Sequence, residues 1–220
     1  SLGDGRFLVR FSHSSDILTA RIGKVPLPPY IKREEEKEDE GRYQTIWARS
    51  TGSVAAPTAG LHFTERLLKD ISSSGVGIRF LTLHVGPGTF QPIRTDRIED
   101  HKMAVEYYDV DQETADAIKR TKEDGRRVIA VGTTACRVIE SIFSPELSVM
   151  SLKGHTGLFI YPGYRFKVVD CLVTNFHLPK STLLLLVSAF AGKDLILSAY
   201  NEAIGLGYRF YSFGDAMFIL

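Results

Sequence analysis

The chain has 220 residues, 44% of them hydrophobic and 24% charged, and a formal net charge of +1. This size and composition are ordinary for a globular protein with one good-sized domain, or one domain and a small companion. The net charge neither indicates nor excludes a nucleic-acid partner, because a local basic patch is enough to bind RNA.

Cysteine usage and hydropathy argue against disulfide-rich, cysteine–zinc and membrane-spanning proteins. Cys136 and Cys171 lie far apart, which argues against a disulfide framework or a cysteine zinc site and fits a reducing cytoplasm. The longest apolar run, Leu183–Ala191, is too short to span a bilayer, so no membrane association is expected.

The first 32 residues differ from the rest of the chain. They predict a strand at Phe7–Phe11 and a second short element around Ile17–Ile22, followed by the proline-rich segment Pro26–Arg33. Such a segment is too short to bury a core alone. The acidic run Glu34–Glu40 indicates a solvated linker or a frayed helix start. The chain also opens without an initiator Met, in a turn before a strand, which indicates a polypeptide whose beginning is absent.

From Tyr43 onward, helical and strand patterns alternate. Helices are predicted at Glu65–Ser73, from the Asp111 cap to Glu123, at Ala135–Ile142, after Lys180, and from Asp194 to about Ile204. Strands are predicted at Ile78–Val85, Val105–Val110, Val128–Val131, Cys171–Val173, Tyr208–Tyr211 and Ala216–Ile219. This alternation predicts an α/β layered domain with a largely parallel sheet.

The segment TNFHLPKSTLL, which begins at Thr174, carries the strongest sign of a site. It sets five polar side chains in the turn between an apolar strand and an apolar helix: Asn175, His177, Lys180, Ser181 and Thr182. Ligands of parallel α/β sheets bind where strands end and helices begin. The alternative is structural, with Ser181 or Thr182 as an ordinary helix N-cap and His177 paired in the core.

Two other strand ends carry candidate groups. In VIAVGTT, Gly132, Thr133 and Thr134 open a helix whose first turn holds Arg137, a combination that suits an anion or a carboxylate. In LHVGPGTF, His84 ends a strand, and Gly86 and Gly88 would let the backbone approach a ligand closely. Either turn could instead be purely structural.

Three weaker candidates remain. The small-residue run GSVAAPTAGLHFT ends near His62 and could clasp a flat ligand or simply pack tightly. His101 and Glu106 are by default a solvated pair before a strand, and Asp215 could equally serve a turn. The sequence has no dinucleotide fingerprint, Walker loop, metal-ligand spacing or nucleophile elbow. Acid–base and electrostatic catalysis without a metal is therefore expected.

Several of these blocks carry a family resemblance. PLPPYIKR, RYQT, GSVAAPTAGLHFT, LHVGPGTF, HKM, AVGTT, YPGYRF, VTNFHLPKSTLLLLVSAFAG and YRFYSFGDAM run in order from about Gly5 to Leu220. Together they closely resemble the S-adenosylmethionine:tRNA ribosyltransferase-isomerase family of queuosine synthesis. The resemblance implies that residues 1–32 are the last part of a small all-β barrel domain. Residues 33–220 would then be the α/β catalytic domain, and the family's N-terminal segment would be absent.

The resemblance also implies the reaction and its partners. The ribosyl part of S-adenosylmethionine would move to the aminomethyl group of a modified deazaguanine at the tRNA anticodon, giving epoxyqueuosine with release of adenine and methionine. S-adenosylmethionine is then a co-substrate, no other cofactor or metal is implied, and a cytoplasmic monomer is expected.

Residue roles follow as hypotheses. His84, His62 and His177 are proton-transfer candidates, and Asp215 would receive an amine or a hydroxyl. Arg137, with the Gly132–Thr134 turn, would hold the methionine carboxylate or an RNA phosphate. The remaining predicted substrate-binding residues are Thr58, Gly86, Gly88, Asn175, Lys180, Ser181 and Thr182, and His101 and Glu106 form a possible further pair.

Two positions depart from the family pattern. Ala104 stands where a second histidine is usual, which makes His101 and Glu106 less certain as a catalytic unit, and Cys136 replaces a valine as a packing change. Two rival functions stay open: another S-adenosylmethionine-dependent RNA-modifying enzyme such as a methyltransferase, and a non-catalytic RNA-binding module. The basic cluster Lys119–Arg127 has no interleaved aromatic residue, so a solvated helix face is favoured there over an RNA contact.

Overall fold

The computed structural model describes residues 7–220, apart from the side chains of residues 15, 16, 20 and 90. Within that range the chain is a mixed α/β structure with two three-stranded sheets and seven α-helices. The helices are α1 (Ser15–Ile22), α2 (Asp39–Arg42), α3 (Glu65–Ser73), α4 (Gln112–Glu123), α5 (Thr133–Ile142), α6 (Thr182–Ala191) and α7 (Lys193–Gly205). The strands are β1 (Thr82–His84), β2 (Glu106–Asp109), β3 (Ile129–Val131), β4 (Lys153–Thr156), β5 (Cys171–Asn175) and β6 (Ala216–Ile219).

The first sheet has the order β1-β2-β4, and both pairings are antiparallel. The second has the order β3-β5-β6, with β3 parallel to β5 and β6 antiparallel to β5. The prediction of a largely parallel sheet is therefore not confirmed for residues 7–220, where β3–β5 is the one parallel pairing. Alternation of helices and strands does not fix strand direction, because α6 and α7 together return the chain so that β6 runs against β5.

Local capping chemistry explains why most helix bounds match the sequence predictions. The Thr64 side chain accepts a hydrogen bond from Leu67 N at the start of α3, and Asp111 accepts one from Thr114 N at the start of α4. Gly125 follows α4 with φ of +66°, a conformation that glycine adopts without a steric penalty.

Two predicted strands are absent from the described residues. Residues 7–11 have no regular structure, and their apolar side chains are exposed, so no neighbouring strand covers them. Residues 208–211 form part of a turn that Asp215 N closes on Arg209 O at 2.8 Å. Strand β1 is also shorter than predicted, β4 was not predicted, and residues 1–6 lie outside the described residues.

The N-terminal barrel is likewise not confirmed. Residues 7–32 carry helix α1 and no assigned strand. The division of the chain at residue 32 stays a prediction.

The acidic run is more ordered than a solvated linker. Asp39, at the start of α2, is buried and accepts two hydrogen bonds from the Arg33 guanidinium, at 2.6 and 2.7 Å. Hydrogen bonds from Arg33 and from Glu36 N lower the pKa of Asp39 to about 2. This pairing fixes the chain immediately before Tyr43, which caps α2.

The core lies between the helices and the two sheets. Cys136, Ile142, Phe143, Leu172 and Val187 are all fully buried in one continuous cluster. Cys136 is thus a packing residue, as predicted. With this core behind them, the ends of β3 and β5 are held at one edge of the second sheet.

Candidate functional site

A cavity of about 420 Å³ opens at the ends of the parallel strands β3 and β5. Its volume falls within the range of small-molecule pockets, about 300–1,000 Å³. Of the residues predicted from the sequence to bind or act, seven line this cavity: Thr58, Gly132, Thr133, Thr134, Asn175, His177 and Ser181. Its aromatic residues are Tyr30, Tyr43, Phe176 and Tyr211, and its other polar residues include Gln91 and Ser212.

Asn175 joins two separate parts of this edge. Its side-chain oxygen accepts a hydrogen bond from the Thr58 hydroxyl at 3.1 Å, and its amide nitrogen lies 3.1 Å from His62 Nε2. Thr58 and His62 are the two ends of one 3-10 helix, and Asn175 is the last residue of β5. Because an amide nitrogen only donates, Nε2 of His62 accepts and its ring proton lies on Nδ1.

His62 itself is largely exposed and adjoins the cavity through Asn175. Partial burial lowers the pKa of His62, with Asp215 opposing this shift and Arg209 adding to it. The imidazole is therefore neutral at neutral pH, as the hydrogen bond from Asn175 requires.

His177 lines the cavity and is held from two sides. Its Nε2 lies 2.8 Å from the Thr174 hydroxyl, and its backbone N–H donates to the Tyr200 hydroxyl at 2.7 Å. Although part of the side chain remains accessible, the surrounding protein solvates a charge poorly and lowers the pKa of His177 to about 3. A group with so low a pKa is a weak general base at neutral pH.

Helix α5 starts at the cavity, but Arg137 does not face its predicted anion cradle. Gly132, with φ of +93°, turns the chain from β3 into α5, and Thr133 and Thr134 follow on the cavity wall. Arg137 is buried and forms an ion pair with Glu106 at 2.8 Å. Its Nε donates to Leu158 O, and Nη2 has no partner among the residues that the structure describes.

The default prediction that Glu106 belongs to a solvated pair with His101 is wrong, because Glu106 is buried in this ion pair. The Glu106 side chain is only 3% exposed, and its second oxygen accepts a hydrogen bond from Gly86 N at 3.1 Å. The pair ties α5 to β2 and to the glycine turn after β1. Arg137 and Glu106 are therefore placed as a structural unit rather than as free binding groups.

His84 stands outside the cavity lining, although the next residue, Val85, belongs to it. A Cβ built on Gly52 would lie 2.6 Å from His84 Nδ1, so the ring packs closely on that backbone. The centroid of the ring also lies 5.7 Å from that of Tyr107. Of the three strand-end candidates His84, Arg137 and His177, only His177 lines the described cavity, so the three groups do not meet in it.

The turn before α6 was predicted to be either part of a ligand site or an ordinary helix N-cap, and the structure shows features of both. Ser181 lines the cavity and is also the N-cap of α6, accepting from Leu184 N at 3.1 Å. Thr182 is buried in the first turn. Lys180 has φ of +58°, and its side chain is exposed between two cavity-lining residues, Pro179 and Ser181.

The other predicted residues lie apart from the cavity wall. Asp215 forms an ion pair with Arg209 at 3.0 Å, and hydrogen bonds from Arg209 lower the pKa of Asp215. His101 packs edge-on against Phe159, with ring centroids 5.1 Å apart. Gly86 donates to Glu106, and a Cβ on Gly88 would lie 2.7 Å from that of Ala104.

Three of the five basic residues in the cluster Lys119–Arg127 are paired with acidic residues. Lys119, Lys122 and Arg126 form ion pairs with Glu123, Asp170 and Asp124, respectively. The Lys119–Glu123 and Arg126–Asp124 pairs are exposed and contribute little to stability, whereas the Lys122–Asp170 pair is half-buried.

Several cavity residues were not among the predicted site residues, and four of them carry hydroxyl groups from distant loops: Tyr30, Tyr43, Tyr211 and Ser212. All four lie in loops of the structure, although Tyr211 was predicted at the end of a strand, and no helix or strand pattern marked them as site residues. Each falls inside a quoted resemblance block, PLPPYIKR, RYQT or YRFYSFGDAM, and that was the available signal.

Within the described part of the chain, no three His, Cys, Asp or Glu residues are grouped so as to hold a metal ion. No single helix there is long and apolar enough to cross a membrane. Helices α6 and α7 reach that length only in combination, with a bend of 112° between them.

Comparison with known proteins gives the chain's relatives. It is 57% identical over 218 residues to S-adenosylmethionine:tRNA ribosyltransferase-isomerase of Halothermothrix orenii, and 60% identical over 199 residues to that of Natranaerobius thermophilus. These matches take in 98% and 90% of this chain, and the chain spans 63% and 57% of the length of these relatives.

A solved structure and a family profile agree with these matches. The crystal structure of S-adenosylmethionine tRNA ribosyltransferase from Thermotoga maritima is 45% identical, with a TM-score of 0.60 over 74% of this chain and 51% of that one. The profile of the family described as queuosine biosynthesis protein matches residues 2–219. The chain therefore belongs to the queuosine biosynthesis protein family.

Proposed function

We propose that this chain catalyses transfer and isomerisation of the ribosyl group of S-adenosylmethionine onto tRNA. The acceptor is the aminomethyl group of a deazaguanine at the wobble position, and epoxyqueuosine, adenine and methionine are the products. Family membership and the names of the relatives support this reaction class. The structural observation that carries the proposal is the cavity at the ends of β3 and β5, where ligands of parallel strands bind.

The chemistry needs groups that move or stabilise protons. The acceptor amine must lose a proton, a base must act on the carbon beside the sulfonium, and departing adenine gains from a hydrogen-bond donor. His62 suits the last role, because Asn175 occupies its Nε2 and leaves Nδ1–H as the free donor. His177 is the other imidazole at the cavity, and its low pKa suits a neutral hydrogen-bonding group better than a base.

For tRNA, we propose that Lys180 contacts a backbone phosphate. Its side chain is exposed, and its two sequence neighbours line the cavity. One phosphate contact adds about one unit to the slope of log affinity against log salt concentration. Lys180→Ala should therefore lower that slope by about one, and an unchanged slope would remove Lys180 from the contact.

The reaction is tested by following the ribose. The full chain is incubated with S-adenosylmethionine labelled in the ribose and with tRNA that carries the aminomethyl precursor. Label in the tRNA together with free adenine supports the proposal. Methylated RNA without adenine release would support the methyltransferase alternative, and tRNA binding without any turnover would support the RNA-binding module.

A further inference from the structure

Three aromatic rings form a row across the first sheet. His84 on β1 lies directly opposite Tyr107 on β2, and Tyr107 lies directly opposite His155 on β4. The ring centroids are 5.7 Å apart in the first pair and 5.4 Å apart in the second. Because directly opposed residues share one face of a sheet, all three rings belong to the same face. Together they form the aromatic row.

The aromatic row lies on the solvent side of the sheet. Glu106 and Tyr108, which flank Tyr107 on β2, are both buried, so alternation along the strand turns Tyr107 to the opposite face. His84 and Tyr107 are half-buried, and His155, on the edge strand β4, is exposed. The row therefore offers a ring to a partner at the edge of the sheet.

The neighbours of the aromatic row along the strands carry no net charge. On one side, Asp109 and Lys153 lie directly opposite each other and form an ion pair at 2.8 Å. On the other side, Val105 is 67% exposed, and a Cβ built on Gly157 would lie 3.5 Å from its side chain. These positions thus present no unpaired carboxylate that would repel the phosphates of a nucleic acid.

The row begins beside the cavity at the ends of β3 and β5. His84 packs closely on Gly52 and is followed by Val85, which lines the cavity and accepts a hydrogen bond from Val54 N at 2.8 Å. A cavity of about 420 Å³ is far too small for a folded RNA. Most of a tRNA substrate would therefore lie on the surface around the cavity, and the aromatic row is part of that surface.

We propose that the aromatic row stacks unpaired bases of the tRNA anticodon loop. This proposal rests on the proposed function, which makes tRNA the partner. Unpaired RNA bases stack on Phe, Tyr, Trp and His rings, and an exposed antiparallel sheet with such rings can hold two or three bases. A protein partner fits this face less well. Two of the three rings are imidazoles, and histidine is not among the side chains enriched at protein interfaces.

Equilibrium binding of an anticodon stem-loop RNA to the full chain tests the proposal. His155→Ala should weaken this binding about tenfold, a loss within the range for removing one stacking ring. His155→Phe keeps an aromatic ring and should bind nearly as well as wild type. His13→Ala makes the same change as His155→Ala on an exposed histidine outside the row, and it is the matched control.

Two further measurements separate base stacking from a phosphate contact. Stacking involves no phosphate, so the slope of log affinity against log salt concentration should be the same for wild type and His155→Ala. A fully paired RNA duplex of the same length offers phosphates without unpaired bases. Its affinity should be unchanged in His155→Ala.

Several results would overturn the proposal. Equal stem-loop affinity of wild type and His155→Ala would do so, and equal losses in His155→Ala and His155→Phe would show a polar contact of the imidazole instead. A chain that is dimeric in sedimentation and becomes monomeric in His155→Ala would assign the face to a second copy. Unfolding of His155→Ala would show that the ring serves the protein's own packing, and would also count against the proposal.

The ribose-label assay separates this proposal from the proposed function. Label transfer by the wild-type chain, combined with stem-loop binding that ignores His155, would leave the function standing and remove the aromatic row as an RNA surface. Stem-loop binding that depends on the ring at His155, without any label transfer, would leave the RNA surface standing and remove the ribosyltransferase proposal.

Discussion

At the scale of single residues, His177 couples folding to pH. Its folded pKa of about 3 lies below the usual value of about 6.5, so between these values the unfolded chain binds more protons. Its contribution to stability is present above pH 6.5 and is lost as the pH falls toward 3. The free energy of unfolding should fall by up to about 1.4 kcal/mol per pH unit across that window.

Urea unfolding at several pH values measures this dependence. His177→Gln should flatten it, because glutamine does not titrate. His155→Gln makes the same chemical change on an exposed side chain of β4 and controls for the substitution itself. An identical pH dependence in wild type and His177→Gln would contradict the assignment.

Asn175 is predicted to control the protonation of His62. Asn175→Asp keeps an oxygen for the Thr58 hydroxyl and places a carboxylate beside His62 Nε2. A negative charge at that distance should raise the pKa of His62 by about one unit or more. An NMR titration of the His62 ring proton measures this, and the exposed Asn201→Asp on α7 is the control. A pKa that stays at its wild-type value would show that the network does not set it.

At the scale of elements, the Arg137–Glu106 pair joins α5 to the first sheet. Glu106→Gln leaves the buried guanidinium without its counter-charge, and removing one partner of such a pair costs about 3–5 kcal/mol. The exposed Asp109–Lys153 pair on β2 and β4, at 2.8 Å, provides the matched control. Asp109→Asn should cost less than about 1 kcal/mol in urea unfolding. Similar losses in both variants would contradict a structural role for Arg137.

This pair also shows where sequence reasoning stops. Helix caps such as Ser181 and Asp111 are local, since each bonds three residues ahead, and they were predicted with the correct helices. Arg137 and Glu106 are 31 residues apart, and nothing in either segment indicates that they meet. Arg137, near the start of a helix, was therefore predicted to bind a ligand, although it already forms an ion pair with Glu106 inside the protein.

At the scale of the whole molecule, five of the six observed strands and the five helices from α3 to α7 were predicted in order, but strand direction was not. Strand β6 was predicted at its observed bounds, yet its antiparallel pairing with β5 depends on how α6 and α7 turn the chain. The site was likewise predicted only in part, because the sequence does not show which distant segments meet in the fold. Asn175 and His177 follow a recognisable strand, whereas Tyr43 reaches the cavity from a loop after the acidic run.

The central claim is that ribosyl transfer takes place in the cavity at the ends of β3 and β5. Filling that cavity tests the claim. Ala56 lines it and is half-buried, so Ala56→Leu should reduce its volume, whereas Ala48→Leu adds the same bulk to an exposed residue outside the lining.

The decisive measurement is transfer of ribose label from S-adenosylmethionine to precursor tRNA by wild type, Ala56→Leu and Ala48→Leu, each first shown to be folded by circular dichroism. We expect label transfer by wild type and Ala48→Leu, and at least a tenfold lower rate for Ala56→Leu. Undiminished transfer by folded Ala56→Leu, or no transfer by the wild-type chain, would contradict the account.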